Sequence, residues 1–311
     1  MSNMKAIKRR RNTVANIEQI TNAMNLVSTS KLQRARARKD MLARPLRSAF
    51  DLINNTLSGI NPDLLSVHQF VAPRENPKTA YVIMTSNRGL CGSYNSNVCK
   101  ALMNHQKQFN IDKPLIICAG TRGRDFFSKR EYDVYNMPDH LETASWREAE
   151  HIAHTLFHMF VDGVIDEVYV VYTKFITILN LEPTVKKILP IDANFIRRSL
   201  NQLVEDEHYE DLGFFNKPSP IPPKHFIEVL YEPSLDAVFE EMIPWYMISF
   251  IYAAMTASSL CEQAARMTSM DSASKNAEDI IDDLTLMFNR QRQSSITQEI
   301  TEIVSGANAL D

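Results

Sequence analysis

The chain has 311 residues, 44% hydrophobic and 23% charged, which suits a globular protein long enough for two ordinary domains. Its net charge of -3 is unevenly spread: residues 1–47 carry about 12 Lys/Arg against Glu18 and Asp40, leaving the remainder near -13. The four cysteines form no CxxC pair, and neither a signal-peptide core nor a membrane-length apolar run is present, so a zinc ribbon, a redox couple and a spanning helix are not expected.

The first element is a helix from about Met4 to Leu57, stopped by Gly59, Asn61 and Pro62. Ile7, Val14, Ile17, Ile20, Met24 and Val27 give it an apolar stripe, which thins afterwards to Ala35, Leu42 and Ala49. At 1.5 Å per residue this is a rod of roughly 80 Å, which needs a helix to pack against. Its basic run Lys8–Arg11 has no interleaved aromatic to stack on bases, so protein contact is preferred over a nucleic-acid arm.

The middle, residues 78–232, alternates strand and helix. TAYVIMTS, PLIICAG and EVYVVYT are short runs rich in Val, Ile and Tyr, and helical patterns lie at Tyr94–Gln108, Arg122–Lys129 and Ser145–Asp162. That alternation predicts an α/β layer with mostly parallel strands. Lys174–Ile191 suggests a further strand pair turning around Glu182 and Pro183, and His225–Tyr231 a last strand. Between them, 192–224 is polar, ends in PSPIPP and is expected to be an irregular insertion.

Two local patterns in the middle suggest chemistry. NRGLCG (Asn87–Gly92) follows a strand and precedes a helix, where a phosphate loop would stand, but lacks both GxGxxG and GK[ST]; a tight turn is preferred. TRG at Thr121–Gly123 is weaker still. His151, His154 and His158 have helical spacing for a metal, yet they lie opposite the apolar face of Ala149, Ile152, Ala153, Leu156 and Phe160, so a solvated face is preferred. No catalytic grouping, cofactor site or metal site is expected.

The last helix starts near Pro233 or Leu235 and runs to Gly306, with Pro244 as a possible kink. It carries Ile296, Ile300, Ile303 and Val304 on one face, while Gln291, Ser294, Ser295, Thr297 and Gln298 stand where a self-sufficient coiled coil would place Leu. Either this is a weak seam open to water, or a helix end inside a sleeve that it must not grip tightly. The terminal helices, one basic and one acidic, are expected to pair antiparallel. The expected division is thus 1–58 helix, 78–232 α/β domain and 233–311 helix.

Four stretches carry a resemblance: ITNAMNLVSTSKLQRAR (Ile20–Arg36), SNRGLCGSYN (Ser86–Asn95), EQAARMTSMDSASKNA (Glu262–Ala277) and RQSSITQEITEIVSGA (Arg292–Ala307). Together they resemble the gamma subunit of the rotary F-type ATP synthase. The resemblance implies an antiparallel coiled coil of the two termini with a Rossmann-like domain at its foot. It implies a non-catalytic rotor: the shaft enters a hexamer of alpha and beta subunits, and the foot meets the epsilon subunit and the c-ring. It places Met24 and Arg266 beside acidic loops of beta. It puts Arg292, Gln293 and Thr297 at the catch loops of the ring, with Glu299 next to them, and Tyr231 and Glu232 near the c-ring. No nucleic acid and no direct membrane insertion are implied. The location implied is peripheral, on the cytoplasmic face of a bacterial inner membrane or the matrix face in an organelle. Plastid members carry a cysteine pair near residues 192–224; this chain has none between Cys118 and Cys261.

Overall fold

The computed structural model describes residues 2–58, 69–74, 76–135, 144–191, 232 and 234–308. Two long helices, α1 (Ser2–Ser58) and α5 (Leu235–Asn308), bracket a mixed α/β layer. Between them lie β1 (Thr79–Met84), α2 (Tyr94–Gln108), β2 (Leu115–Ala119), α3 (Thr121–Ser128), β3 (Asp133–Tyr135), α4 (Trp146–Val161), β4 (Glu167–Phe175) and β5 (Leu181–Leu189). The chain forms two compact units. One is Met1–Ser30 with Arg266–Asp311, and the other is Lys31–Ala265.

In the larger unit the strands run in the order β3-β2-β1-β4-β5. The first four are parallel and β5 is antiparallel to β4. This is the strand order of a doubly wound sheet, with its reversal point between β1 and β4. β1 is buried at all six positions, as expected for an inner parallel strand with both faces covered. Ala80, Val82, Met84, Val168, Val170 and Tyr172 face α4 and the Ile243–Ala257 stretch of α5. Tyr81, Ile83, Ile116, Cys118 and Val171 face α2, Phe127 and Cys261.

Local chemistry fixes the ends of these elements. Ser145 accepts the amide of Glu148 at 3.3 Å, and Glu148 accepts the amide of Ser145 at 3.2 Å, a reciprocal cap that starts α4. The segment before β1 is tied down by Arg74, whose guanidinium is 2.7 Å from Asp166 and lies 4.6 Å over the Phe160 ring. Burial raises the Asp166 carboxyl, but the Lys78 amide and Arg74 outweigh it and hold it below its usual range. All four cysteines are buried; burial pushes Cys99 up to about 11 and Cys118 up to about 12.

The structure departs from the sequence reading in three places. The strand pair turns at Ile176–Asn180, where the Thr177 amide donates to Asn180 O at 3.0 Å; Glu182 and Pro183 lie within β5. Among the described residues β5 is at the edge of the sheet, where proline is tolerated. β3 was not expected: it has three residues with none buried, too few to show an alternation. Finally, the stripe on α1 is where the apolar residues suggested at Ile7, Val14 and Met24 but not at the other three positions. Ile17, Ile20 and Val27 are 49%, 59% and 56% exposed. A covered row runs through Met4, Ile7, Arg11, Val14, Glu18, Thr21, Asn25 and Ser28, spaced alternately three and four apart, with Ala15, Met24 and Thr29 half-buried beside it. That is the 3.5-residue repeat of a helix pair, and it admits polar residues. The insertion at 192–224 and the strand expected at 225–231 lie outside the described residues.

Gly120 shows how closely the layer is fitted. It has φ of 120°, and a Cβ there would lie 2.2 Å from Thr85 O. Gly120→Ala should therefore destabilise the chain by more than about 2 kcal/mol, since strain and a backbone clash act together. Chemical denaturation of the full chain checks this; an unchanged midpoint would contradict it.

Candidate partner-contact surfaces

In the smaller unit α1 and α5 pair along a seam. Thr21 Oγ1 lies 2.8 Å from Ser274 Oγ, and the Arg11 guanidinium sits 5.7 Å over the Phe288 ring. Position 21 meets 274 and position 11 meets 288, so the helices run antiparallel. On α5 the covered positions are Met267, Met270, Ser274, Ala277, Ile281, Leu284, Phe288, Gln291 and Ser295, again three and four apart. Small residues stand at the Ser274–Ala277 step and larger ones at Leu284–Phe288. A polar contact therefore sits in the middle of the seam, where a tight coiled coil would hold Leu.

From Ile296 to Ser305 every position of α5 is exposed. Ile296, Ile300, Ile303 and Val304 are 47%, 56%, 71% and 51% exposed. Arg292, Gln293, Thr297 and Glu299 are exposed on the same end. Thr297 Oγ1 donates to Gln293 O at 2.9 Å, and Thr301 Oγ1 donates to Thr297 O at 2.8 Å. The hydroxyls thus satisfy their own helix, leaving the Gln293 amide and the Arg292 guanidinium facing outward. The end offers donors and scattered apolar surface without a continuous groove.

The other expected contact residues lie apart from this end. Met24 is half-buried beside the seam, and Arg266, at the start of the paired stretch of α5, is buried. Glu232 is exposed, and Tyr231 falls outside the described residues. The sequence reading did not anticipate the exposed apolar row Ile17, Ile20 and Val27 on the outside of α1. Reading the pattern with a repeat of 3.5 instead of 3.6 would have placed these residues outside the seam.

The α/β unit would bind a ligand at the crevice between β1 and β4, beyond the carboxyl ends of the strands. That place is taken by α5. The Thr173 amide donates to Ser258 Oγ at 3.3 Å, Cys261 Sγ donates to Thr173 O at 3.3 Å, and Tyr94 Oη donates to Ser258 O at 3.3 Å. The space remaining among Met84, Thr85, Tyr94 and Ser258 is about 30 Å³, room for one water. A larger groove of about 720 Å³ lies at the opposite edge, where Thr79, Leu115, Asp133 and Glu167 begin their strands. His151, His154 and His158 are exposed on the outer face of α4. Among the described residues no group of three or more metal-ligating side chains gathers.

Comparison with known proteins adds a family. A family model described as ATP synthase matches residues 3–310. The ATP synthase gamma chain of Alkaliphilus metalliredigens is 37% identical over 309 residues, covering 99% of this chain and 98% of the relative. A gamma chain described as sodium ion specific, from Acetobacterium woodii, is 35% identical over 313 residues, with 99% of each covered. Among solved structures, a chain of the Euglena gracilis mitochondrial ATP synthase (OSCP/F1/c-ring) aligns with a TM-score of 0.66 at 18% identity, over 99% of this chain and 95% of that one. A chain from the Tetrahymena thermophila central stalk and c-ring aligns with a TM-score of 0.51 at 24% identity, over 82% and 99%. At those identities the structural likeness supports the fold alone.

The seam predicts a contrast between two truncations. Leu284 is 6% exposed in the seam, so Leu284→Ala should cost about 2–3 kcal/mol. Ile296 has no partner in the isolated chain, so Ile296→Ala should change stability by no more than about 0.5 kcal/mol. Denaturation followed by far-UV circular dichroism separates the two; equal effects would contradict the assigned seam.

Proposed function

The chain belongs to the ATP synthase gamma-chain family, and we propose that it is the central rotor shaft of an F-type ATP synthase. In this reading ion flow turns a c-ring, the ring turns this chain, and the chain's asymmetry drives conformational change in a hexamer of alpha and beta subunits. The single observation that carries the reading is the end-to-end family match, residues 3–310. The pairing of α1 with α5 and the uncovered end of α5 fit the same role.

The division of labour follows the elements. Of the expected terminal helices, the stretches within 1–30 and 266–311 are assigned to the shaft, and the compact unit 31–265, which takes in the rest of 1–58 and 233–311 along with 78–232, to the foot that meets the epsilon subunit and the c-ring. Tyr231 and Glu232 are assigned to the c-ring side. Met24, half-buried, and Arg266, buried in the isolated chain, are assigned to the stretch that passes acidic loops of beta. Arg292, Gln293 and Thr297, with Glu299 beside them, meet the catch loops. A sleeve closing on this end would find donors for transient hydrogen bonds and little continuous apolar surface. Each such bond contributes about 0.5–1.5 kcal/mol net, enough to favour one rotor angle and weak enough to break on every turn.

The chain itself makes and breaks no covalent bond in this mechanism. The crevice that would hold a nucleotide is occupied by Ser258, Cys261 and Tyr94, which supports a non-catalytic role. No helix among the described residues is long and apolar enough to cross a membrane, consistent with peripheral attachment through the ring. We assign that attachment to the cytoplasmic face of a bacterial inner membrane, or the matrix face in an organelle, with no nucleic-acid partner.

Three measurements test the role. Calorimetric titration of the chain with ATP, ADP or NAD should be silent; micromolar binding would argue for a nucleotide-dependent enzyme instead. In the assembled complex, Gln293→Leu should slow turnover roughly two- to tenfold with the helix intact, because Leu is a good helix former. Met24→Lys should lower ATP made per ion moved without blocking assembly, by adding an ion pair to the acidic loops. Wild-type rates and coupling in both variants would remove these residues from the contact set.

A further inference from the structure

The outer face of α4 carries a row of polar side chains that the rotor role does not use. Glu150, His154, His158 and Asp162 stand four residues apart, and all four are exposed. At that spacing each lies one helical turn from the next, on the same side. The helical geometry is kept to the end of the row: the Asp162 amide donates to His158 O at 2.8 Å, and Asp162, which closes the helix, has φ of -73°. The His154 and His158 rings face each other, with centroids 6.5 Å apart and planes inclined by 27°.

Two features prepare this pair. The Phe157 and His158 rings meet edge to face at 72° with centroids 5.9 Å apart, and Phe157 stacks in turn on Phe70 at 5.6 Å. Phe70 is fully buried, so the core braces His158 from below. Among the described residues, neither His154 nor His158 commits a ring nitrogen to a hydrogen bond. Spacing alone suggested a solvated face. Facing rings with uncommitted nitrogens add the means to chelate, since neutral imidazole is the commonest protein metal ligand. A metal-bound histidine commonly donates its second ring N–H to a carboxylate. The row supplies one at each end, Glu150 a turn before His154 and Asp162 a turn after His158.

We propose that the outer face of α4 is a binding site for a divalent transition metal, held by His154 and His158 and oriented by Glu150 and Asp162. The chemical class is copper(II), nickel(II) or zinc(II), which imidazole suits. Magnesium and calcium take oxygen ligands and are not expected there. Among the described residues no group of three ligating side chains gathers, so water completes the coordination. Affinity is therefore micromolar, below that of a closed four-ligand structural site. His151 stands on the same helix, but the rings that face each other are those of His154 and His158. The proposal concerns this chain alone and does not depend on its role as a rotor.

The test is calorimetric titration of the full chain with copper(II), nickel(II), zinc(II) and magnesium chlorides in a non-coordinating buffer. Copper should bind more tightly than nickel or zinc, and magnesium should be silent. His154→Gln and His158→Gln should each weaken binding at least roughly tenfold, while His151→Gln changes it less than about threefold. All three positions are exposed and Gln is a good helix former, so the variants keep α4. Glu150→Gln combined with Asp162→Asn should weaken binding roughly tenfold; an unchanged affinity would remove the carboxylates from the site. Electron paramagnetic resonance of the copper complex should show two equatorial nitrogens in the wild type and one in His158→Gln. Binding no tighter than millimolar, or the same affinity in wild type, His154→Gln and His158→Gln, would overturn the site.

Discussion

The architecture depends on where α5 lies against the sheet. Between Ile243 and Cys261 this helix is covered on nearly every side, and Ser258 and Cys261 bond to the backbone of β4 at the point where the strand order reverses. A doubly wound sheet leaves a crevice there, and unfilled it would leave the Thr173 amide without a partner. Filling it with the chain's own helix removes the place for a diffusible ligand. It also makes α5 part of two cores, because the same helix goes on to supply the seam that pairs with α1.

The two parts of α5 have different compositions for that reason. The stretch inside the α/β unit is rich in Ala, Ile and Met and carries few charges, as a helix buried all round must. The stretch along the seam alternates covered and exposed positions, and its covered set includes Ser274, Gln291 and Ser295. A seam with polar members is weaker than one of Leu, but it also holds no excess apolar face once paired. Exposed apolar residues lie off the seam, at Ile17, Ile20, Leu26 and Val27 on α1, and at Ile280, Leu286, Met287 and from Ile296 onward on α5. In a family of rotor shafts these are the surfaces available to surrounding subunits.

Most of the fold was legible in the sequence because its signals are local. The inner strands are short runs of Val, Ile and Tyr, and α2 and α4 follow their amphipathic patterns closely, α4 with Ser145 as a recognisable cap. What escaped depends on partners distant in sequence. β3 exists because its backbone completes the edge of β2, not because of its own three residues. The turn between β4 and β5 sits at Ile176–Asn180, and Pro183 gave a false signal because an edge strand accepts proline. The covered face of α1 is set by the 3.5-residue rhythm of its antiparallel partner, so hydrophobicity alone placed Ile17, Ile20 and Val27 on the wrong side. The contact residues followed from family resemblance and could not be derived from spacing. On α5 the exposure of Arg292, Gln293, Thr297 and Glu299 is compatible with partner contact, whereas Arg266 is buried.

Beyond Pro244, helix α5 also passes through three degrees of cover within one continuous helix. Its amides are shielded by a surrounding core near Ala253, by one neighbouring helix near Leu284, and by no neighbour at Ile300. Local opening free energy follows such cover more closely than it follows secondary structure. In the isolated chain, solvent deuterium should therefore enter this single helix progressively, its end within the fraying regime and its middle close to global unfolding. The change in that gradient between the isolated chain and the assembled complex would report how firmly a surrounding assembly clamps the helix end.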